Sequence, residues 1–99
     1  MADLLQANYE QLEDISTRFS RLCERIQALS TRLRDESNTL CEQGWKGKGS
    51  EAFLAEMTGE TLRSLNFMSE SFCEASTITT EIRTTLEDAE NRSAQLFRA

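Results

Sequence analysis

In the first half of the chain Leu5, Leu12, Phe19, Ile26, Leu33 and Leu40 recur at intervals of seven without a break. Three residues after the first five stand Asn8, Ile15, Leu22, Leu29 and Glu36, so nine of these eleven positions are apolar. A strand repeats every second residue. A seven-residue repeat instead lays its side chains along one stripe of an α-helix, which another helix must cover. The pattern predicts one helix over about residues 3–43, supercoiled gently left-handed against a partner. Asp3 with Gln6 supplies an N-terminal cap and its box partner, and Gly44 a C-terminal stop. Beside the seam, Ser16, Cys23, Ser30 and Ser37 form a stripe of small residues along which another helix can approach closely.

A second helix is predicted over about residues 50–97, with Ser50 as its N-cap. Its seam runs through Leu54, Leu65, Met68, Phe72, Ala75, Ile82, Leu86, Ala89 and Leu96, with Thr79 and Ser93 filling two further places. Phe53, Met57, Phe67 and Ile78 widen the apolar arc to roughly 160°. Gly59 weakens this helix by roughly 1 kcal/mol against Ala. Thr77-Ile78-Thr79-Thr80 would pass for a strand by propensity, but the seven-residue period continues through it.

Punctuation agrees with this reading. The 99 residues contain no Pro, the residue that most strongly interrupts helices, and three of four Gly fall at 44, 47 and 49. Residues 44–49 are therefore the one turn, and they also hold the only two Lys, Lys46 and Lys48. Two long helices joined by a short turn lie side by side and antiparallel, each about 60 to 70 Å long. The fold class is all-α: a single two-helix hairpin domain. Both apolar arcs are wider than one contact uses, so the hairpin is expected to dimerise into a four-helix bundle with its own copy or a similar chain.

Composition excludes much chemistry. With no His, imidazole-based catalysis and His-ligated metal sites are impossible. Seventeen acids against eleven bases give a net charge of −6, opposed to nucleic-acid binding. No catalytic or metal-ligating residues, no cofactor and no small-molecule substrate are expected. Carboxylate pairs such as Glu13-Asp14 and Glu87-Asp88 are adjacent in sequence and point to different azimuths, so none is expected around a pocket. Arg18, Arg21, Arg25 and Arg32 stripe one flank of the first helix, with Glu70, Glu74, Glu81 and Asp88 available to pair across helices. Cys23, Cys41 and Cys73 form no CxxC and suit a chain made in a reducing cytosol. Counted outward from the turn, Cys23 and Cys73 fall within about one helical turn of each other, which leaves a disulfide open as the alternative to free thiols.

The turn reads Gln43-Gly44-Trp45-Lys46-Gly47-Lys48-Gly49-Ser50-Glu51-Ala52-Phe53. Its Trp, the only one in the chain, can lie over the helix ends and close the apolar end of the hairpin. Trp45-Lys46-Gly47 in mid-chain, with Ala52 and Phe53 after it and helical seams on both sides, resembles the WXG100 family, the ESAT-6-like small proteins of type VII secretion systems. The resemblance covers the whole chain. It implies a homodimer, or a heterodimer with a related chain, made in the bacterial cytoplasm and exported folded by a membrane-embedded FtsK/SpoIIIE-type ATPase without a cleaved signal peptide. The family's C-terminal export signal is a Tyr followed four residues later by an acid; here Leu86 holds the Tyr position and Glu90 the acidic one. Two readings compete with the resemblance: an intracellular helical adaptor whose turn is only a chain reversal, and a membrane-active effector. The second lacks the Lys/Arg-rich polar face that lipid binding uses.

Overall fold

The computed structural model describes residues 2–98, with side chains over 6–97. The chain runs α1 (Ala2–Glu42), α2 (Lys48–Glu56), a π-helical segment (Met57–Thr61) and α3 (Leu62–Arg98). Together α2, the π segment and α3 form one rod lying antiparallel to α1, and the hairpin measures 76 × 19 × 14 Å. α1 begins at Ala2, so Asp3 lies inside the helix and is not its N-cap, while the seam place of Leu5 belongs to a side chain outside those described.

The turn is built by two glycines. At the end of α1 the Gly44 amide donates to the Cys41 carbonyl and the Trp45 amide to the Leu40 carbonyl, a Schellman closure with Gly44 at φ +103°. Gly47 takes φ +116° and ψ −172°, open almost solely to glycine, and caps α2. The second helix thus starts at Lys48, and Ser50 is not its N-cap. The Ser50 hydroxyl, buried inside the first turn, donates to the Gly47 carbonyl at 2.9 Å.

Contact between the two rods is made by other residues than the large apolar ones. On α1 the closest series is Tyr9, Ser16, Cys23, Ser30 and Ser37, spaced by seven; all but the half-buried Ser16 are buried. Opposite them on α3 stand Leu62, Ser69, Ser76, Arg83 and Glu90, also spaced by seven. Their polar groups pair across the seam. Ser16 and Ser76 each donate to the other's carbonyl, at 3.0 and 2.9 Å. Ser69 donates to the Cys23 carbonyl at 3.1 Å, and Ser30 to Asn66 Oδ1 at 3.3 Å. The small stripe is therefore the hairpin's own contact line. Short hydroxyl side chains let the helices approach, and the hydrogen bonds satisfy what that approach buries.

Along this line Cys23 and Cys73 are bridged by a disulfide, with Cα atoms 5.3 Å apart. This decides the alternative that the sequence leaves open. Among the described residues Cys41 is the one free cysteine. The predicted seam residues Leu12, Phe19, Ile26, Leu33, Leu65 and Phe72 lie beside the contact line and are only half-buried, whereas Met68 and Ile82 are exposed. Phe19 and Phe72 stack across the helices with centroids 6.1 Å apart, which fixes these flanks on the same side of the hairpin.

The π segment answers a break in the apolar spacing. Counting back by sevens from Leu62 and Leu65 reaches Ala55 and Thr58, both exposed. The π segment takes up one extra residue, so Leu54 and Met57 occupy the partly buried places instead. Gly59 lies inside it. Farther on, α3 is continuous through Thr77-Ile78-Thr79-Thr80. Thr77 and Thr79 donate to the carbonyls of Cys73 and Ala75, four residues back, so β-branched residues sit in the helix with their hydroxyls satisfied.

Candidate interaction surface

One side of the hairpin is an apolar face. Outside the half-buried Phe19, Ile26 and Phe72 lie Ile15, Leu22 and Leu29 from α1 and Met68, Ile82 and Leu86 from α3, each between 37 and 48% exposed. Ile15, Leu22 and Leu29 repeat by seven on α1, and Met68 and Ile82 lie two sevens apart on α3, with Leu86 one turn beyond Ile82. The intramolecular contact uses the neighbouring heptad series and leaves this one uncovered. Phe67 and Ile78 extend the apolar arc around the outer side of α3, Phe67 being 72% exposed. Among the described residues, buried apolar side chains are few: Tyr9, Cys23 and Leu62, of which only Cys23 is fully buried. More large apolar side chains are thus exposed on the open face than are buried in the seam.

At the turn, the Trp45 ring packs on Phe53 with centroids 5.2 Å apart and planes 57° apart, and Trp45 remains 41% exposed. Gly47, two residues on, sets the backbone that brings Phe53 back under the indole. The W-x-G tripeptide therefore supplies an exposed aromatic at one end of the apolar face and the glycine that places it.

The opposite end is held by polar groups. The Tyr9 hydroxyl donates to Glu90 Oε2 at 2.5 Å, and Arg83 bridges Glu13 at 3.0 Å and Glu87 at 2.8 Å. The carboxylate acceptor, above all, pushes the Tyr9 phenol up to about 12; burial and the charges of Glu90 and Glu87 add to this, and Arg83 opposes it. The hydrogen bond to Glu87 likewise raises Arg83. Glu90 is thus engaged by a tyrosine from the other helix. Leu86, one turn before it, lies on the apolar face with Ile78 and Ile82 along one groove. Tyr9 was not among the expected site residues; the sequence signal for it is that it continues the small-residue series at Ser16, Cys23, Ser30 and Ser37 one heptad earlier.

Two charge expectations change. Arg18 and Arg32 pair within α1, with Asp14 and Glu36 at 3.0 and 3.1 Å, rather than across helices. The cross-helix ion pair runs the other way, from Arg83 on α3 to Glu13 on α1. Carboxylates do line a groove, contrary to expectation: Glu24, Asp35 and Glu36 surround one on α1 together with Arg32. All four are exposed and come from a single helix, so nothing there excludes water from a reacting group. Among the described residues no cluster of His, Cys, Asp or Glu could hold a metal, and no helix is long and apolar enough to cross a membrane.

Compared with known proteins, residues 4–95 match the model of the WXG100 family, described as proteins of 100 residues with WXG. No curated protein and no solved structure matches the chain. The match spans nearly the whole hairpin, with Trp45 and Gly47 in the turn that joins its arms, and the chain belongs to the WXG100 family.

Proposed function

Because the chain is a WXG100 protein, we propose that it is an ESAT-6-like substrate or escort partner of a type VII secretion system, acting through binding rather than catalysis. The observation that carries this reading is the open apolar face of Ile15, Leu22, Leu29, Met68, Ile82 and Leu86 on a hairpin that buries little apolar surface of its own. A contiguous apolar face of this kind marks an interaction surface, and the covering element that matches its length and helical period is a second helical hairpin. Its own copy or a related chain completes a four-helix bundle, and the bundle leaves the cytoplasm folded and uncleaved through an FtsK/SpoIIIE-type ATPase. Apart from Arg83, Glu87 and Glu90 at the polar end of the seam, the carboxylates and arginines sit on exposed flanks, where they choose partners more than they stabilise.

A degenerate export signal at Leu86 and Glu90 belongs to the same proposal. Glu90→Gln keeps an oxygen that accepts from Tyr9 while removing the charge. Reduced export with an unchanged melting midpoint supports a signalling role; unchanged export leaves Glu90 as a structural acceptor. The reading as a whole is tested by following the uncleaved chain in culture medium with and without the export ATPase. Appearance in the medium only when the ATPase is present supports it. Retention in the cytosol in both cases favours the intracellular adaptor.

A further inference from the structure

Near the middle of the hairpin the two helices are joined covalently, on a contact line of small polar residues with the Phe19–Phe72 stack beside it. Cys23 is 1% exposed, whereas Cys73 is exposed to solvent. Around them the seam is made of hydroxyls: Ser69 donates to the Cys23 carbonyl, and Ser16 and Ser76 exchange bonds two turns farther along α1. Water can replace each of these bonds once the helices part, so they hold the arms together far less than an apolar core would. The bridge spans a sequence separation of 50, enclosing the turn, α2 and the π segment.

We infer that the Cys23–Cys73 bridge is a redox latch, opened and closed by thiol–disulfide exchange at Cys73 with a small or protein-borne thiol. In opening, the thiolate of the external reagent attacks the Cys73 sulfur. The Cys23–Cys73 bond breaks, a mixed disulfide forms on Cys73, and Cys23 leaves as a thiolate that takes a proton from solvent. A second external thiol then resolves the mixed disulfide. The protein gains two electrons and two protons, and the reagent is oxidised to its own disulfide. Attack at Cys73 follows from exposure, since Cys23 is shielded between the helices. The Gln27 amide donates to Cys23 Sγ at 3.6 Å, so the leaving sulfur has a hydrogen-bond donor beside it. Closing reverses these steps with glutathione disulfide as the oxidant. The reduced hairpin is the one whose arms part readily; the oxidised hairpin is locked in register.

The test uses the full chain carrying Cys41→Ser, so that only the pair remains, with the unmodified chain in parallel. After equilibration with glutathione disulfide, the intact mass of the variant should be that of the reduced chain less two hydrogens, with no glutathione attached. Glutathione on both cysteines, or two thiols that stay free, would overturn the latch. Limiting reduced glutathione, quenched with acid and mapped by mass spectrometry, should place the adduct on Cys73; an adduct on Cys23 contradicts the direction of attack. Opening the bridge with excess dithiothreitol should lower the folding equilibrium constant about a thousandfold at fixed protein concentration, the effect of freeing a loop of this length. Coincident unfolding curves for the oxidised and reduced chains would overturn the proposal without any substitution at the pair.

Discussion

Tyr9 on α1 donates its phenolic hydrogen to Glu90 on α3, joining positions 81 apart in the sequence at the end of the hairpin remote from its turn. The carboxylate can accept from a phenol but repels a phenolate, and the Tyr9 pKa of about 12 against 10.0 expresses that preference. A group whose folded pKa lies above its unfolded value contributes stability that is complete below the unfolded value and is lost as pH climbs to the folded one. Stability should therefore fall between about pH 10 and 12 as the phenol titrates. Ultraviolet titration of the single Tyr reads the midpoint, and Tyr9→Phe should flatten this part of the pH dependence.

Phe19 and Phe72 stack beside the seam and are half-buried. Phe72→Ala should cost about 2 kcal/mol, toward the lower end for a large side chain because the site is partly open to solvent. Combining it with Phe19→Ala should show a coupling of about 1 kcal/mol in a double-mutant cycle of denaturant unfolding.

Gly47 and Gly59 should respond in opposite directions. A Cβ would meet nothing within 4 Å at either, so space does not distinguish them. Gly47 holds a positive φ of 116°, and Gly47→Ala should destabilise by about 1–3 kcal/mol through backbone strain alone. Gly59 has no positive φ, and Gly59→Ala should stabilise by up to about 1 kcal/mol. Thermal melts of the two variants at one concentration check both signs.

Trp45→Ala removes the indole that packs on Phe53. The midpoint should drop, with a loss of about 1 kcal/mol, and self-association should weaken because the end of the apolar face is no longer ordered. An unchanged midpoint together with lost export would instead assign Trp45 to a partner.

The helices and the turn were readable because period and punctuation are local signals: sevens from Leu5 to Leu40, glycines at 44 and 47, and no proline. Which stripe faces inward was harder to read. Leu12, Phe19 and Ile26 share the seven-residue period with Ser16, Cys23 and Ser30, and periodicity alone does not rank two adjacent stripes. Close approach favours the small residues, and the large ones are left between the hairpin's seam and its open face. The π segment was hidden in the spacings from Leu54 to Leu62 and from Met57 to Leu65, eight residues each, where the seven-residue pattern slips by one. Ser50 looked like a cap because its residue type suits one, yet the positive φ at Gly47 starts the helix earlier. Tyr9 with Glu90, and Arg83 with Glu13, pair across the antiparallel register, which is defined only once the turn is placed.

The central claim is that the face of Ile15, Leu22, Leu29, Met68, Ile82 and Leu86 is covered by a second hairpin. Light scattering on the purified full chain after size exclusion tests this most directly. In the absence of a related chain it should pair with its own copy, giving a particle of twice 11.3 kDa that Leu22→Glu with Met68→Glu disrupts. A folded, helical species of 11.3 kDa, unchanged by the two glutamates, would contradict it.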